Sequence, residues 1–438
     1  MSMSFELARR SVASVTGSCA GASIELFAGA GGLALGVHEA GFRHLLVNEL
    51  NRHACNTLRT NVATDLESES EGESWPLLAG DVATIDWHSF AGRVDLLAGG
   101  APCQPFSLGG RHLGDQDGRN LFPQVFRALR ELRPRAFLLE NVRGLLRESF
   151  RPYFEYILDQ LHEPYRSPKA REPWERHKAR LERRNGRSVG SESDRYTVYF
   201  KLVNAADYGL PQNRHRVLIV GFREDLGVNW AWPQQSHSQD ALLLAQLDGS
   251  YWEEHLIPPQ GIPSLSDAKR RRLAQIEPAE ARWLTLRDAL EGLPEPVDGQ
   301  EHPAIANHVG VPGARLYAGH TGNRLDWPAK TVKAGVHGVP GGEHVLIRSD
   351  GSHRYLTVRE CARLQGFPDS YTFAGSRSEA MRQIGNAVPV PLGRLIATQI
   401  ADKLAGTLRP AHATVRSSSR SRRHLADDGG GQEQELAS

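Results

Sequence analysis

The sequence predicts an α/β fold with a parallel sheet, joined to a smaller, loop-rich part. Three observations predict it. From Ser23 to about Arg223, short apolar runs alternate with helical patterns. Runs that short, spaced by helices, read as buried parallel strands. From Leu226 to about Tyr355 the composition shifts to Pro, Gly, His and Trp without clear periodicity. A helical pattern then returns over Gly385–Leu404.

Taken in order, residues 1–22 form a polar lead and 23–225 the main domain. Its expected strands are Ile24–Phe27, Leu45–Val47, Asp95–Ala98, Phe137–Leu139, Tyr199–Val203 and Val217–Val220. Residues 162–195 interrupt the pattern with Arg, Lys and Glu and read as a solvated insert. Residues 226–377 form the second, smaller domain, and 378–408 return to the first. The tail 409–438 is Ser/Arg-rich, then acidic and Gly-rich, a composition expected to be disordered.

Composition narrows the function. The 438 residues are 40% apolar and 24% charged, an ordinary globular balance. With 52 basic and 51 acidic residues the chain is no polybasic protein, though basic residues could still cluster on nucleic acid. No apolar run approaches the ~20 residues of a membrane span, so no membrane partner is expected. Cys19, Cys55, Cys103 and Cys361 are scattered without a C-x-x-C pair. That argues against a metal site or disulfides and suits a reducing cytoplasm.

Four features carry chemistry. Phe27-Ala28-Gly29-Ala30-Gly31-Gly32 joins a strand to a helix, and its glycines let backbone approach a ligand. Glu49 ends the next run and could accept from ribose hydroxyls; Asp81, near the end of the third strand, could meet an adenine amino group. A tight turn with two solvated acids explains the same residues. The spacing is G-x-G-G, not the G-x-G-x-x-G of nicotinamide dinucleotide sites.

Gly99-Gly100-Ala101-Pro102-Cys103-Gln104-Pro105-Phe106-Ser107 follows a strand. Flanking prolines aim the thiol, so Cys103 reads as a nucleophile. The other three cysteines read as small buried hydrophobes. Glu140-Asn141-Val142 closes a strand. A desolvated carboxylate there serves as a general acid, or else forms a structural ion pair with an arginine. In Gln212-Asn213-Arg214-His215-Arg216, a strand extended backwards would point Arg214 and Arg216 to one side. Together they could grip a carboxylate, a phosphate or a carbonyl oxygen.

The order of these motifs resembles that of DNA (cytosine-5) methyltransferases of the bacterial restriction–modification kind. Two later stretches extend the resemblance: Arg359-Glu360-Cys361-Ala362-Arg363-Leu364-Gln365-Gly366-Phe367-Pro368 and Gln383-Ile384-Gly385-Asn386-Ala387-Val388-Pro389. The resemblance implies a Rossmann-like S-adenosylmethionine-dependent methyltransferase domain with a smaller, loop-rich target-recognition domain. It places Phe27, Glu49, Asp81 and Pro102 in the S-adenosylmethionine pocket, over the Gly29, Gly31 and Gly32 loop. Leu121 and Asn386 help close that pocket.

It makes Cys103 the nucleophile, Glu140 the acid at cytosine N3 and Arg216 a donor to O2, with Arg214 beside it. Gln104, Ser107, Asn141, Val142 and Gln212 fall to the substrate. The implied partner is double-stranded DNA, with a cognate restriction endonuclease as a genetic partner. The protein is expected to act as a cytoplasmic monomer. A tRNA cytosine-5 methyltransferase on the same catalytic domain is the alternative. The 226–355 region is larger than that type carries, and a non-enzymatic reader would have lost the Pro-Cys or Glu-Asn-Val motif.

Overall fold

The computed structural model describes residues 19–66, 74–102, 120–183, 191–259, 264–316, 321–334 and 344–407. Up to Thr407 the chain is one compact unit. The tail, the lead to Ser18 and the stretch from Cys103 to Arg119 lie outside the described residues, as do Arg184 and Arg187 of the insert.

An eight-stranded sheet dominates. The first half runs β1 (Gly21–Leu26), α1 (Gly32–Glu39), β2 (Phe42–Glu49), α2 (Arg52–Asn61), β3 (Ala63–Asp65), β4 (Trp75–Ala79) and β5 (Leu96–Gly99). The second half runs α3 (Phe122–Leu132), β6 (Ala136–Val142), α4 (Arg151–His162), α5 (Trp174–Glu182), β7 (Tyr196–Asn204), β8 (Gln212–Asn213) and β9 (His215–Arg223). The spatial order is β3-β4-β2-β1-β5-β6-β9-β7. All six expected strands are present. The chain leaves β1 in one direction and returns to pair β5 on its other side. Between β1 and β5 lies the switch point, where the carboxyl ends of parallel strands open a ligand crevice.

Two expectations need correction. β9 pairs antiparallel with both β6 and β7, so the sheet is mixed. β7 is the edge strand, with Phe200 and Leu202 exposed, so it is not a buried run. β3 and β4 were not legible as runs. β3 is three residues long, and β4 contains Pro76, which reads as a strand breaker.

Both faces of the central strands are apolar, as burial on two sides requires. On one face Leu26, Leu97, Phe137 and Ile219 pack beneath α3 and α4. On the other, Leu96, Leu138 and Val220 share a core with Leu33, Val37, Leu392 and Ile396. The charged insert is only half solvated. Trp174 packs on Tyr153 and Tyr156, and His177 and Leu181 are buried. Its outer face carries pairs such as Arg180–Glu172 (2.8 Å) and Lys178–Glu155 (2.9 Å).

Beyond Leu226 come β10 (His237–Ser238), α6 (Gln239–Asp248), α7 (Ser250–Glu254), α8 (Asp267–Leu273), β11 (Ala281–Arg282) and α9 (Leu286–Leu290). Then follow β12 (Glu301–His302), β13 (Ile305–Val309), β14 (Asn323–Arg324), β15 (Ala329–Lys330), β16 (Val345–Ile347) and β17 (His353–Tyr355). Last come α10 (Val358–Leu364), α11 (Arg377–Asn386) and α12 (Val390–Ala405). The texture changes at Leu226, but much of the core does not. Leu346, Cys361, Phe367 and Ile384 pack with Leu35, Leu58 and Trp75.

The returning helical pattern is two helices, because Pro389 and Pro391 cannot continue α11. α12 lies against α1 at glycines. A Cβ on Gly36 would stand 2.5 Å from the Arg394 nitrogen, and one on Gly32 would collide with the Val388 carbonyl. Among the described residues no helix is long and apolar enough to cross a membrane.

Candidate active site

A cavity of ≈ 1850 Å³ opens at the switch point. One end is built from the turns after β1, β2 and β4. Phe27 takes φ +55°, a left-handed conformation costly for an aromatic residue and held only where surroundings enforce it. Gly29 follows at φ +56° with nothing near its absent side chain. Both line the cavity.

Glu49 ties two turns together. Its Oε2 accepts from the Gly29 N–H and its Oε1 from the Asn51 N–H, both at 2.7 Å. A carboxylate has about four acceptor positions, so capacity remains for a ligand. Asp81 lines the same end; its Oδ1 accepts from the Ala83 N–H at 2.9 Å and caps a short turn. Pro102, Leu121 and Asn386 also line the wall. Gly31 and Gly32 do not. Gly31 faces Leu58 and Tyr371, and Gly32 faces Val388 and Phe367. They serve the packing of α1.

At the other end stands Glu140, on β6. It pairs across the ladder with Leu218, and Arg216 lies two residues further along β9. Diagonal neighbours on one face of an antiparallel pair are within reach of long side chains. Arg216 Nε accordingly stands 2.6 Å from Glu140 Oε1, with both groups nearly buried. Glu140 Oε2 lies 3.3 Å from where a Cβ on Gly100 would be, so the acid overlooks the turn leading to Cys103. Asn141 points to the opposite face of the strand. Its Nδ2 donates to the Ala101 carbonyl at 3.2 Å and fixes that turn. Val142 lines the cavity. Cys103, Gln104 and Ser107 lie outside the described residues.

Arg214 and Arg216 do not act as a pair on one group. The strand breaks between β8 and β9, and the Arg214 side chain goes elsewhere. Its guanidinium, fully buried, donates to the carbonyls of Val332 (3.0 Å), Gly385 (2.8 Å) and Ala387 (2.8 Å). Gln212 is a bridge too. Its Nε2 donates to the Leu364 carbonyl, and its Oε1 accepts from the Val332 N–H. Neither lines the cavity. Of the other cysteines, Cys55 and Cys361 are buried, and burial pushes their thiols up to about 11 and about 12. Cys19 is exposed, contrary to expectation, because it precedes the first strand.

Sequence reasoning missed Glu25. It sits in the first apolar run, 1% exposed, and lines the cavity. Its Oε2 has no partner among the described residues. Desolvation raises its carboxyl well above the usual range. An acid inside an otherwise apolar strand was the available signal. A pH dependence follows from the sign of that shift. The neutral acid suits the fold, so its contribution is present below the ordinary carboxylate range and is lost as pH rises through the raised value. Glu25→Gln is therefore expected to melt higher than wild type in cofactor-free protein at pH 8, with a smaller gap at pH 5. An equal gap at both pH values would contradict a buried neutral acid.

A family profile described as C-5 cytosine-specific DNA methylase matches residues 21–164 and 188–402, passing over most of the charged insert. The Type II methyltransferase M.Eco47II of Escherichia coli is 32% identical over 389 residues, 87% of this chain and 79% of its own. The Type II methyltransferase M.NgoMIV of Neisseria gonorrhoeae is 33% identical, covering 87% of this chain and 97% of its own. Among solved structures, a prophage-encoded E. coli protein described as a DNA modification methyltransferase superposes with TM-score 0.53 at 22% identity. That match covers 88% of this chain and 99% of the other, and shows likeness of fold.

Proposed function

The chain belongs to the C-5 cytosine-specific DNA methylase family, and on that premise we propose which of its residues carry out the transfer. The enzyme methylates cytosine C5 in DNA with S-adenosylmethionine as donor. The observation that carries the residue assignment is one cavity with Glu49 and Glu25 at one end and the Glu140–Arg216 pair at the other. The donor end fits a ligand that is cationic and carries a ribose. Glu25 offers an orphaned buried oxygen and Glu49 spare acceptor positions, with Phe27 beside them. Asp81, Pro102, Leu121 and Asn386 complete that end. S-adenosylmethionine, when bound, supplies an electrophilic methyl group.

The remaining steps belong to the chain. Cytosine C5 is a poor nucleophile, and the base must leave the stack to be reached. The Cys103 thiolate adds to C6, forming an S–C6 bond. Electron density moves toward N3 and O2, where Glu140 supplies a proton and Arg216 a hydrogen bond. C5, now the carbon of an enamine, takes the methyl group as the bond from that methyl to the donor's sulfur breaks. Loss of the C5 proton to a base then breaks S–C6 and restores the ring. Val142 borders the base, and Asn141 holds the Ala101 turn behind it. Gln104 and Ser107, in the same sequence motif as Cys103, are assigned to the substrate. Arg214 and Gln212 act by positioning.

Residues 226–377 form the recognition part, and 378–408 complete the catalytic domain. On this reading the protein works as a cytoplasmic monomer and shields host DNA from a cognate restriction endonuclease; its likeness to Type II methyltransferases supports the restriction–modification setting. The test is bisulfite sequencing of DNA from a host expressing the chain, beside labelled-methyl transfer to duplex DNA and to tRNA. Methylated cytosine at one recurring sequence, with label in duplex only, is expected. Label in tRNA alone would overturn the DNA reading.

A further inference from the structure

The catalytic end of the cavity has a basic wall that the reaction leaves unused. After Glu140-Asn141-Val142 the chain turns through a short 3-10 segment, Arg143–Leu146, capped by Arg147. Arg143 and Arg147 both line the cavity, as do His215 and Lys333. Arg147 Nη2 is enclosed by protein, yet finds no acceptor among the described residues. Arg143 is exposed and forms no ion pair among them.

Elsewhere several arginines are held by carboxylates. Arg216 holds Glu140, Arg180 holds Glu172, Arg363 holds Asp369 and Arg354 holds Glu360. Among the described residues neither Arg143 nor Arg147 forms an ion pair, and Glu379, which also lines the cavity, is held by Arg382. Glu140 is committed to Arg216, while Glu49 and Asp81 hold turns at the donor end. Burial, with the Arg143 charge added, also lowers the pKa of His215, so the imidazole does not compete as a cation.

Guanidinium groups lining a cavity present several N–H donors, and the two free oxygens of a phosphodiester match them in pairs. Resting on the reading that a flipped cytosine sits against Glu140, we infer that Arg143 and Arg147 clamp the phosphates flanking it on the methylated strand. They hold the sugar–phosphate chain open while the base stays in the pocket. Such contacts set position and register and carry no sequence information. Each phosphate neutralised steepens the dependence of log affinity on log salt by about 0.9.

The experiment uses the full chain with Arg143→Gln, Arg147→Gln, Arg147→Lys and the Arg143/Arg147 double Gln variant. Affinity is measured from low to moderate salt without methyl donor. The ligands are a duplex containing the site found by bisulfite sequencing and a duplex of unrelated sequence. Each Gln variant is expected to flatten the salt slope by about 0.9, and the double variant by about twice that. At fixed salt, affinity for both duplexes should fall about ten- to a hundredfold for Arg147→Gln, with Arg147→Lys retaining part of it. S-adenosylmethionine affinity should not change.

An unchanged slope with a lower melting temperature would make these residues structural and end the proposal. Loss confined to the site-containing duplex would make them base readers and also end it. If Arg147→Gln does not fold, Arg143→Gln alone decides, since its side chain is exposed and forms no ion pair among the described residues. Wild type that methylates no DNA would fail the underlying reading instead, separately from any slope.

Discussion

Cys103→Ser is expected to abolish methyl transfer while leaving a folded protein that binds duplex DNA. The turn Gly100–Pro102 lines the cavity below Glu140, and Asn141 anchors the Ala101 carbonyl. Cys103 follows that turn in the sequence. A serine hydroxyl at neutral pH is a far weaker nucleophile than a thiol with accessible thiolate. The loss should exceed about 10⁴-fold, the scale on which removing a covalent nucleophile acts. A duplex carrying 5-fluorocytosine supplies the direct assay. Fluorine at C5 cannot leave as a proton, so elimination stops and the S–C6 bond persists. Wild type should give a covalent adduct and Cys103→Ala none; an adduct in the mutant would sink the assignment.

The second large effect is on stability. Arg214→Met should destabilise the protein by about 3–5 kcal/mol, the cost of breaking a buried charged network. The guanidinium serves the carbonyls of Val332, Gly385 and Ala387 at once. Methionine fills similar space but leaves all three acceptors unmet. The three belong to separate segments: the Lys330–Lys333 stretch, the end of α11 and the link into α12. Losing the tie should loosen the wall carrying Asn386, so cofactor affinity should fall with melting temperature. Arg216→Gln gives the contrast. Its partner is Glu140, so transfer should fall much more steeply than stability does. If Arg214→Met melts like wild type and loses only the catalytic rate, Arg214 belongs with Arg216 in the chemistry.

Most strands were legible because buried strands announce themselves as short apolar runs. Their direction was not: a run such as Val217–Val220 reads the same whether its neighbour is parallel or antiparallel. β4 hid behind Pro76, whose missing N–H usually argues against an inner strand. At the site, Glu49 and Glu140 were legible because each closes an apolar run. The two arginines of Gln-Asn-Arg-His-Arg look alike in sequence. One residue of chain geometry at the β8–β9 break separates a structural tie from a partner of the acid. Glu25 was passed over because an acid in a core strand reads as an anomaly until its cavity is seen. The insert's inner face, Trp174, His177 and Leu181, was masked by the charge density around it.

The junction of α12 with α1 sets the timing of activity during synthesis. Gly32 and Gly36 are made early, yet the surfaces they accept, Val388 to Arg394, are made near the end. Asn386 closes a cavity whose opposite wall begins at Phe27. At about 5–20 residues per second, roughly 20 to 70 s of translation separate the two walls. A nascent chain thus has no complete donor site until the last helices emerge, and contacts this distant in sequence also slow the final step of folding. Any truncation before α12 is expected to be silent as a methyltransferase.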